Sequence, residues 1–399
     1  MTFDLENLYT AAVTGGFLVA SLAAILSWTQ RSSVTLGFFF AVFAISEADT
    51  AASVLLLEMP QSLRDGMELA GFAANFFIMP LFLFYVRELT AAPETGRIGS
   101  GAHFIMPGIA VVFVWGVLLL PAEIREAWYS AITGPSNPPG LGALRAGFDM
   151  LTIAMVLQWL VYVVWIARTQ AQHIARLKDH FASTEGLELR WVAVLACAMG
   201  IYAVQSLVGE VLILLSRHDP IGPVLDSLMV LIMVIALCLW GLRPSRALEV
   251  ATQALTVTMD PSIHKYEKSA LGPEQAERIA RKLLRAMRDD RLYRDPNLTL
   301  GALAQQVGVS PNYVSQTLNQ RLGISFFEFV NSWRVREAIP LVAAGEQTVL
   351  AIAYEVGFNA RSSFYTAFKK ETGLTPSAYK KAGSAGPVVV QSRDRARVS

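Results

Sequence analysis

Seven apolar runs, each close to the length of a bilayer core, dominate the first 242 residues and decide most of what this chain can fold into. They are Leu8–Trp28, Val34–Leu57, Leu69–Val86, Phe104–Leu120, Leu151–Ile166, Trp191–Leu215 and Ile221–Leu242. A helix needs about 20 apolar residues to cross the hydrocarbon. A soluble core does not supply seven such runs with so little polar surface between them. The runs therefore predict a transmembrane bundle over residues 1–242. Only 16% of the chain is charged, against roughly a quarter in soluble domains, and most of that charge follows Leu242. The opening Met1–Glu6 is acidic, where a cleavable signal peptide needs a basic start, so the first run is expected to remain as a span.

Basic residues in the short loops set the orientation. With the N-terminus outside, the inner loops carry Arg31, then Arg87 and Arg97, then Arg168, Arg176, Lys178 and Arg190, and Arg243 and Arg246 follow the last span. The outer loops carry Arg64, Arg125, Arg145 and Arg217. The excess is inside, which predicts a multi-pass protein of the cytoplasmic (inner) membrane with its C-terminal part in the cytoplasm. Trp128 and Tyr129 are expected to anchor the outer interface, and Trp240 the inner one.

Acidic residues within spans are costly and point to function. Glu47, Asp49, Glu210 and Asp226 all fall in the outer half of the bilayer by this topology. They form a candidate signal-sensing group for an unknown small ligand or ion, cationic by charge. Protonated carboxylates that bond between helices would account for the same residues. No span contains a lysine, so a retinal Schiff base is excluded. Cys197 and Cys238 lack metal-ligand spacing. No nucleophile–base pair, phosphate loop or metal cluster is visible, so no enzyme activity, no cofactor and no metal site are expected.

Beyond Leu242 the character changes. Pro244 stops the last helix, and residues 243–271 read as a cytoplasmic linker, with a short helix near Ala247–Leu255. From Gly272 an amphipathic helix carries Ile279, Leu283, Leu284 and Met287 on one face and Arg281, Lys282, Arg285 and Arg288 on the other. Two similar units follow, Leu298–Gly323 and Thr348–Gly373. Each has a short helix, a glycine turn (Gly308, Gly357), a second helix and a closing glycine. This is the pattern of a helix-turn-helix, in which Ala304 or Ala353 allows close crossing and the turn glycine takes positive φ. Ser310 and Asn359 are the expected N-caps of the two second helices. A longer helix, Phe326–Ala344, joins the units, and Pro340 is expected to kink it. Residues 383–399 read as a disordered tail.

The two units, the joining helix and the closing signature of Gly357, Phe358, Ser363, Phe364, Phe368, Lys369, Gly373, Thr375, Pro376 and Tyr379 resemble the AraC/XylS-type transcription regulators. The resemblance covers about Gly272 to Lys381, a quarter of the chain. It implies an all-α DNA-binding domain over 272–382 that sets two recognition helices into successive major grooves, about 34 Å apart. Carried over residue by residue, it implies that Asn312, Tyr313, Ser315 and Gln316 read DNA from the first helix. From the second it implies Arg361, Ser362, Tyr365 and Thr366. Asn319, Arg321, Lys369 and Lys370 are the implied phosphate contacts. Arg361 suits guanine, and Gln316 or Asn312 adenine. Val314, Leu318, Phe364 and Phe368 are expected in the core. The first recognition helix departs from the family in lacking a basic residue before Arg321.

From Lys265 to Lys381, seventeen basic residues face eleven acidic ones, a net of +6, which suits a polyanion. The whole reads as an all-α chain, a seven-helix transmembrane bundle followed by a DNA-binding domain with two helix-turn-helix units. The expected partners are a double-stranded DNA operator, the lipid bilayer, the unknown ligand or ion, and a second copy in a homodimer. The expected function is a membrane-bound transcription regulator whose bundle senses a signal. The alternative is a transporter or membrane anchor to which the DNA-binding domain is a regulatory addition.

Overall fold

The structure, a computed structural model, describes residues 5–29, 33–54, 59–90, 100–133, 140–185, 187–214, 222–242 and 271–383. The expected linker up to residue 270, the tail from 384, and Arg31, Arg97 and Arg217 lie outside the described residues. The chain divides into two compact units. One comprises residues 1–170 and 189–245, the other residues 171–188 and 246–399.

The first unit is built from α1 (Leu5–Thr29), α2 (Val34–Val54), α3 (Gln61–Leu89), α4 (Ile105–Leu118), α5 (Ala122–Thr133), α6 (Gly142–His180), α7 (Arg190–Leu214) and α8 (Gly222–Gly241). The last turns of α6, from Ala171, belong to the second unit. A 3₁₀ turn, Ser100–Phe104, leads into α4. Seven of these helices, all but α5, are long and apolar enough to cross a membrane. Helix α2 packs between α1 and α3, and α8 packs against α1 and α7. Its interior is aromatic, with Phe39, Phe40, Phe76 and Phe82 buried. The close approach of α2 and α3 needs Gly71, where a Cβ would sit 3.0 Å from the Ser46 carbonyl oxygen. Outward faces are equally apolar: Leu22, Val112, Trp115, Val161, Ile201 and Ile232 are each more than half exposed. An apolar interior combined with an apolar exterior is the pattern of a helix bundle solvated by lipid rather than water.

Helix α5 lies outside the seven runs and alters one expectation. Trp128 is fully buried, packed edge-on against Tyr129 and Phe148. Its indole fills a core instead of anchoring an interface. The Tyr129 hydroxyl donates to the Asp65 carbonyl at 2.9 Å, and Arg125 pairs with the Asp65 carboxylate at 3.3 Å. These contacts tie α5 to the start of α3.

The second unit holds α9 (Pro273–Arg288), α10 (Leu300–Val307), α11 (Pro311–Gln316), α12 (Phe326–Ala344), α13 (Val349–Glu355), α14 (Arg361–Thr372) and α15 (Pro376–Gly383). Helix α11 continues into a wide π turn, Thr317–Leu322, that ends at Gly323. The spacer α12 organises two cores. Phe326, Phe329 and Val330 from its first half pack with Leu283, Met287, Leu303, Val314 and Leu318. Val335, Ala338 and Val342 from its second half pack with Ile352, Ala353, Phe364, Phe368 and Tyr379. The four residues assigned to the core from sequence, Val314, Leu318, Phe364 and Phe368, are all buried. Helix α12 runs through Pro340 without interruption. Ser325 and Glu328 form a reciprocal cap at its start.

Residues 171–188, the last turns of α6 and the segment that follows them, belong to this unit. Phe181 forms an antiparallel bridge with Thr299, and Ala182 is buried in the first core.

Candidate nucleic-acid interface

The second helix of each helix-turn-helix unit is set by a short helix in front of it. Thr299 caps α10 by accepting from the Ala302 N–H at 3.1 Å, and Thr348 caps α13 by accepting from the Ala351 N–H at 3.1 Å. Ala304 and Ala353 are fully buried, and their carbonyls accept from the Val309 and Phe358 N–H groups across the turns. The turns close on Gly308 and Gly357, with φ of +67° and +98°. At Gly357 the backbone leaves no alternative, because a Cβ would lie 2.7 Å from the carbonyl oxygens of Tyr293 and Arg294.

Of the two expected N-caps, Ser310 holds its position and Asn359 is corrected. The N-cap of α11 is Ser310, but its hydroxyl makes no capping bond; it is buried with no partner. The N-cap of α14 is Ala360. Asn359 turns away, donating to Ser183 Oγ at 3.2 Å and to the Pro296 carbonyl at 3.1 Å. An Asn side chain competes for any nearby acceptor, so a position next to a helix start does not determine which one it takes.

On the first helix, Asn312, Tyr313, Ser315 and Gln316 are half-buried, and Gln316 Oε1 is buried without a partner. Asn319 and Arg321, on the π turn, are exposed. Asn319 donates to Ser315 Oγ at 3.4 Å, and Arg321 pairs with Glu277 of α9 at 3.0 Å. On the second helix, Arg361, Ser362, Thr366, Lys369 and Lys370 are exposed and Tyr365 is half-buried. The Arg361 guanidinium lies over the Tyr365 ring, 4.9 Å from its centroid, and donates to its hydroxyl at 3.0 Å. That hydroxyl also meets Ser377 Oγ at 2.9 Å. The bonds from Ser377 and then Arg361 hold the Tyr365 phenol below its ordinary pKa. Arg361 is therefore held in place by the ring beneath it and by that ring's hydroxyl. Lys370 is paired with Glu328, so contact with a phosphate there means exchanging one anion for another. The Glu277 and Glu328 pairings leave no local signal in the residues, since both partners lie more than 40 residues away.

The acidic residues of the first unit have different surroundings. Glu47 lines an interior cavity with Phe43, Asn75, Trp159, Tyr202 and Met233. Asp226 accepts from Gln205 Nε2 at 2.8 Å. Asp49 Oδ1 is buried without a hydrogen-bond partner. Tyr202 lies within electrostatic reach of both Glu47 and Asp226. The Glu210 side chain is outside the described residues.

Residues 303–382 match the family model of a helix-turn-helix domain, HTH_18. An HTH-type transcriptional regulator of Bacillus subtilis, YtdP, is 33% identical over 87 residues, which are 22% of this chain and 11% of that protein. The arabinose operon regulatory protein of Escherichia coli is 31% identical over 86 residues, 22% of this chain and 30% of that one. The similarity thus spans well under two thirds of either relative's length. Among solved structures, the C-terminal domain of AraT, a response regulator from Geobacillus stearothermophilus, is 29% identical. It covers 32% of this chain and 96% of that one, with a TM-score of 0.24.

Proposed function

We propose, from the AraC-type DNA-binding helix-turn-helix domain that ends this chain, that the protein is a membrane-embedded transcription regulator. In this reading α14 and the helix formed by α11 and its π turn enter successive major grooves of one operator. The carrying observation is Arg361, held over Tyr365 on the exposed face of the second reading helix. Arg361 and Ser362 contact bases there, and Lys369 and Lys370 contact phosphates. Asn312, Tyr313, Ser315 and Gln316 read from the first helix, with Asn319 and Arg321 at its phosphate end.

The seven apolar helices sit in the inner membrane with the N-terminus outside and the C-terminal domain in the cytoplasm. Their outward apolar faces support the bilayer as partner. A small cation, or protons, acting on Glu47, Asp49, Glu210 and Asp226 shifts the bundle between two packings and so changes operator affinity. Two copies of the chain pair on the DNA.

Selection of duplexes from a random library by the full chain in lipid nanodiscs tests the DNA reading. A bipartite motif with two contact sites about 10 base pairs apart is expected; recovery of no motif at moderate salt overturns it. Reporter fusions at the C-terminus test the topology. Replacing all four membrane acids by their amides should abolish induction of a promoter reporter. Induction that survives removes the sensing role and leaves the bundle an anchor.

A further inference from the structure

The core of the DNA-binding domain is chemically incomplete without a segment that is remote in sequence. Arg334, in the middle of α12, is fully buried, and Asn331 one turn earlier is nearly so. Buried donors need acceptors. Arg334 Nη1 and Asn331 Nδ2 both donate to the Ala182 carbonyl, at 3.3 and 3.4 Å. The Ala182 N–H in turn donates to the Leu298 carbonyl at 3.1 Å. The same strap reaches the second helix-turn-helix. Ser183 Oγ accepts from Asn359, two residues before α14, and Asn359 also donates to the Pro296 carbonyl. Arg334 meanwhile lies over the Phe358 ring, 5.4 Å from its centroid. Around the strap, Leu177 and Leu187 form a small core with Phe181, and buried His173 bonds the Leu187 carbonyl at 3.0 Å.

We infer that residues 181–185 are a brace that fixes the two helix-turn-helix units in register, making Ala182 and Ser183 positioning residues for two-groove DNA reading. The strap touches the first helix-turn-helix through Leu298 and Thr299, the joining helix α12 through Asn331 and Arg334, and the approach to the second reading helix through Asn359. Its ends run on into α6 and α7, so the bundle is tied by chain to the element that sets the register. The shelf it occupies offers donors from Arg334 and Asn331 and an acceptor from Leu298, matched by the Ala182 carbonyl and N–H.

The inference rests on the DNA reading proposed above, and the test separates the two. The full chain in nanodiscs is titrated with its selected two-site duplex and with a duplex in which the second site is randomised. Ala182→Pro removes the N–H bond to Leu298 and should weaken two-site binding about tenfold. Ser183→Ala removes only the Asn359 link and should cost about threefold, while Ser183→Thr keeps it and stays near wild type. Binding to the one-site duplex should change less than about twofold in all three, because one reading helix needs no register. Hydrogen exchange in 361–372 should rise in Ser183→Ala while that in 300–307 holds, and Ala182→Pro should raise both. Equal weakening on both duplexes, or tighter two-site binding, overturns the brace. So does an unchanged two-site affinity in Ser183→Ala with unchanged exchange in Ala182→Pro. A wild-type chain that selects no duplex overturns the DNA reading, and this inference with it.

Discussion

Arg334 Nη1 donates to the Ala182 carbonyl oxygen across 152 residues of sequence. The same guanidinium donates to the carbonyls of Tyr293 and Asp295 at 2.7 and 2.8 Å and to Asn331 Oδ1 at 3.1 Å. Burial pushes its pKa down to about 10, with Glu185 and Asp295 working the other way, so it stays charged at neutral pH. Arg334→Met would fill the space but take the guanidinium donor from the Tyr293 carbonyl, leaving the Ala182 and Asp295 carbonyls with only Asn331 Nδ2 and the Leu298 N–H. The expected loss is about 3 kcal/mol of local stability. It should appear as faster hydrogen exchange across 326–344 in the full chain. Exchange that matches wild type would mean water replaces the guanidinium at no cost.

Gly357 should tolerate substitution least among the turn glycines. Its φ is +98°, and an added Cβ would meet two carbonyl oxygens at 2.7 Å. Gly308 shares the positive φ, but open space lies beside it. Gly308→Ala pays only the left-handed penalty of about 1 kcal/mol. Gly357→Ala adds a backbone clash that α13 must move to relieve, and should cost at least about 3 kcal/mol. Thermal melting of the two variants in detergent checks the order, and equal midpoints would contradict it.

The periodic features of this fold were legible in the residues, and the pairings were not. Seven runs of near-bilayer length gave seven apolar helices because length and hydropathy suffice for that inference. The helix-turn-helix units were readable because Gly308, Gly357, Gly323 and Gly373 mark turns that need positive φ, and all four have it. Helix ends were harder. The apolar run Leu151–Ile166 understates α6, which extends through polar residues to His180, and α5 has too little apolar character to register as a span. The brace left no local trace. Ala182 and Ser183 are unremarkable in sequence, and only the fold brings them to Arg334 and Asn359. Long-range partners such as Glu277 for Arg321 are invisible for the same reason.

Acid should loosen the DNA-binding domain through Glu328 and Glu337. Burial pushes the Glu328 carboxyl up, but Lys370 and the Ser325 N–H outweigh it and hold it below its ordinary 4.5. Burial likewise acts against Glu337, and Arg294 with Tyr293 brings it below 4.5. A folded pKa below the unfolded one adds stability above the unfolded value, and that stability disappears as pH falls through the folded value. The contribution is therefore intact at neutral pH and lost progressively below 4.5. Glu328→Gln should lower stability at pH 7 and flatten its dependence below 4.5, measured by urea unfolding at stepped pH. An unchanged acid limb would place the pH sensitivity elsewhere.

Arg361 and Lys369 should fail in different ways when removed. Arg361 is exposed and held by the Tyr365 ring and hydroxyl. Arg361→Ala should cost about 1–3 kcal/mol on the selected duplex and relax preference at one base pair. Tyr365→Phe keeps the ring but drops the hydroxyl that holds both Arg361 and Ser377, so it should produce a smaller loss at the same base pair. Lys369 is an exposed point charge near the end of that helix. Lys369→Ala should weaken every duplex alike and lower the salt slope of log K by about 0.9. Anisotropy titrations over single-base variants at several salt concentrations distinguish these outcomes. If Arg361→Ala lost affinity uniformly and kept its base preference, Arg361 would be a phosphate contact, and base reading from α14 would fall to Ser362 and Thr366.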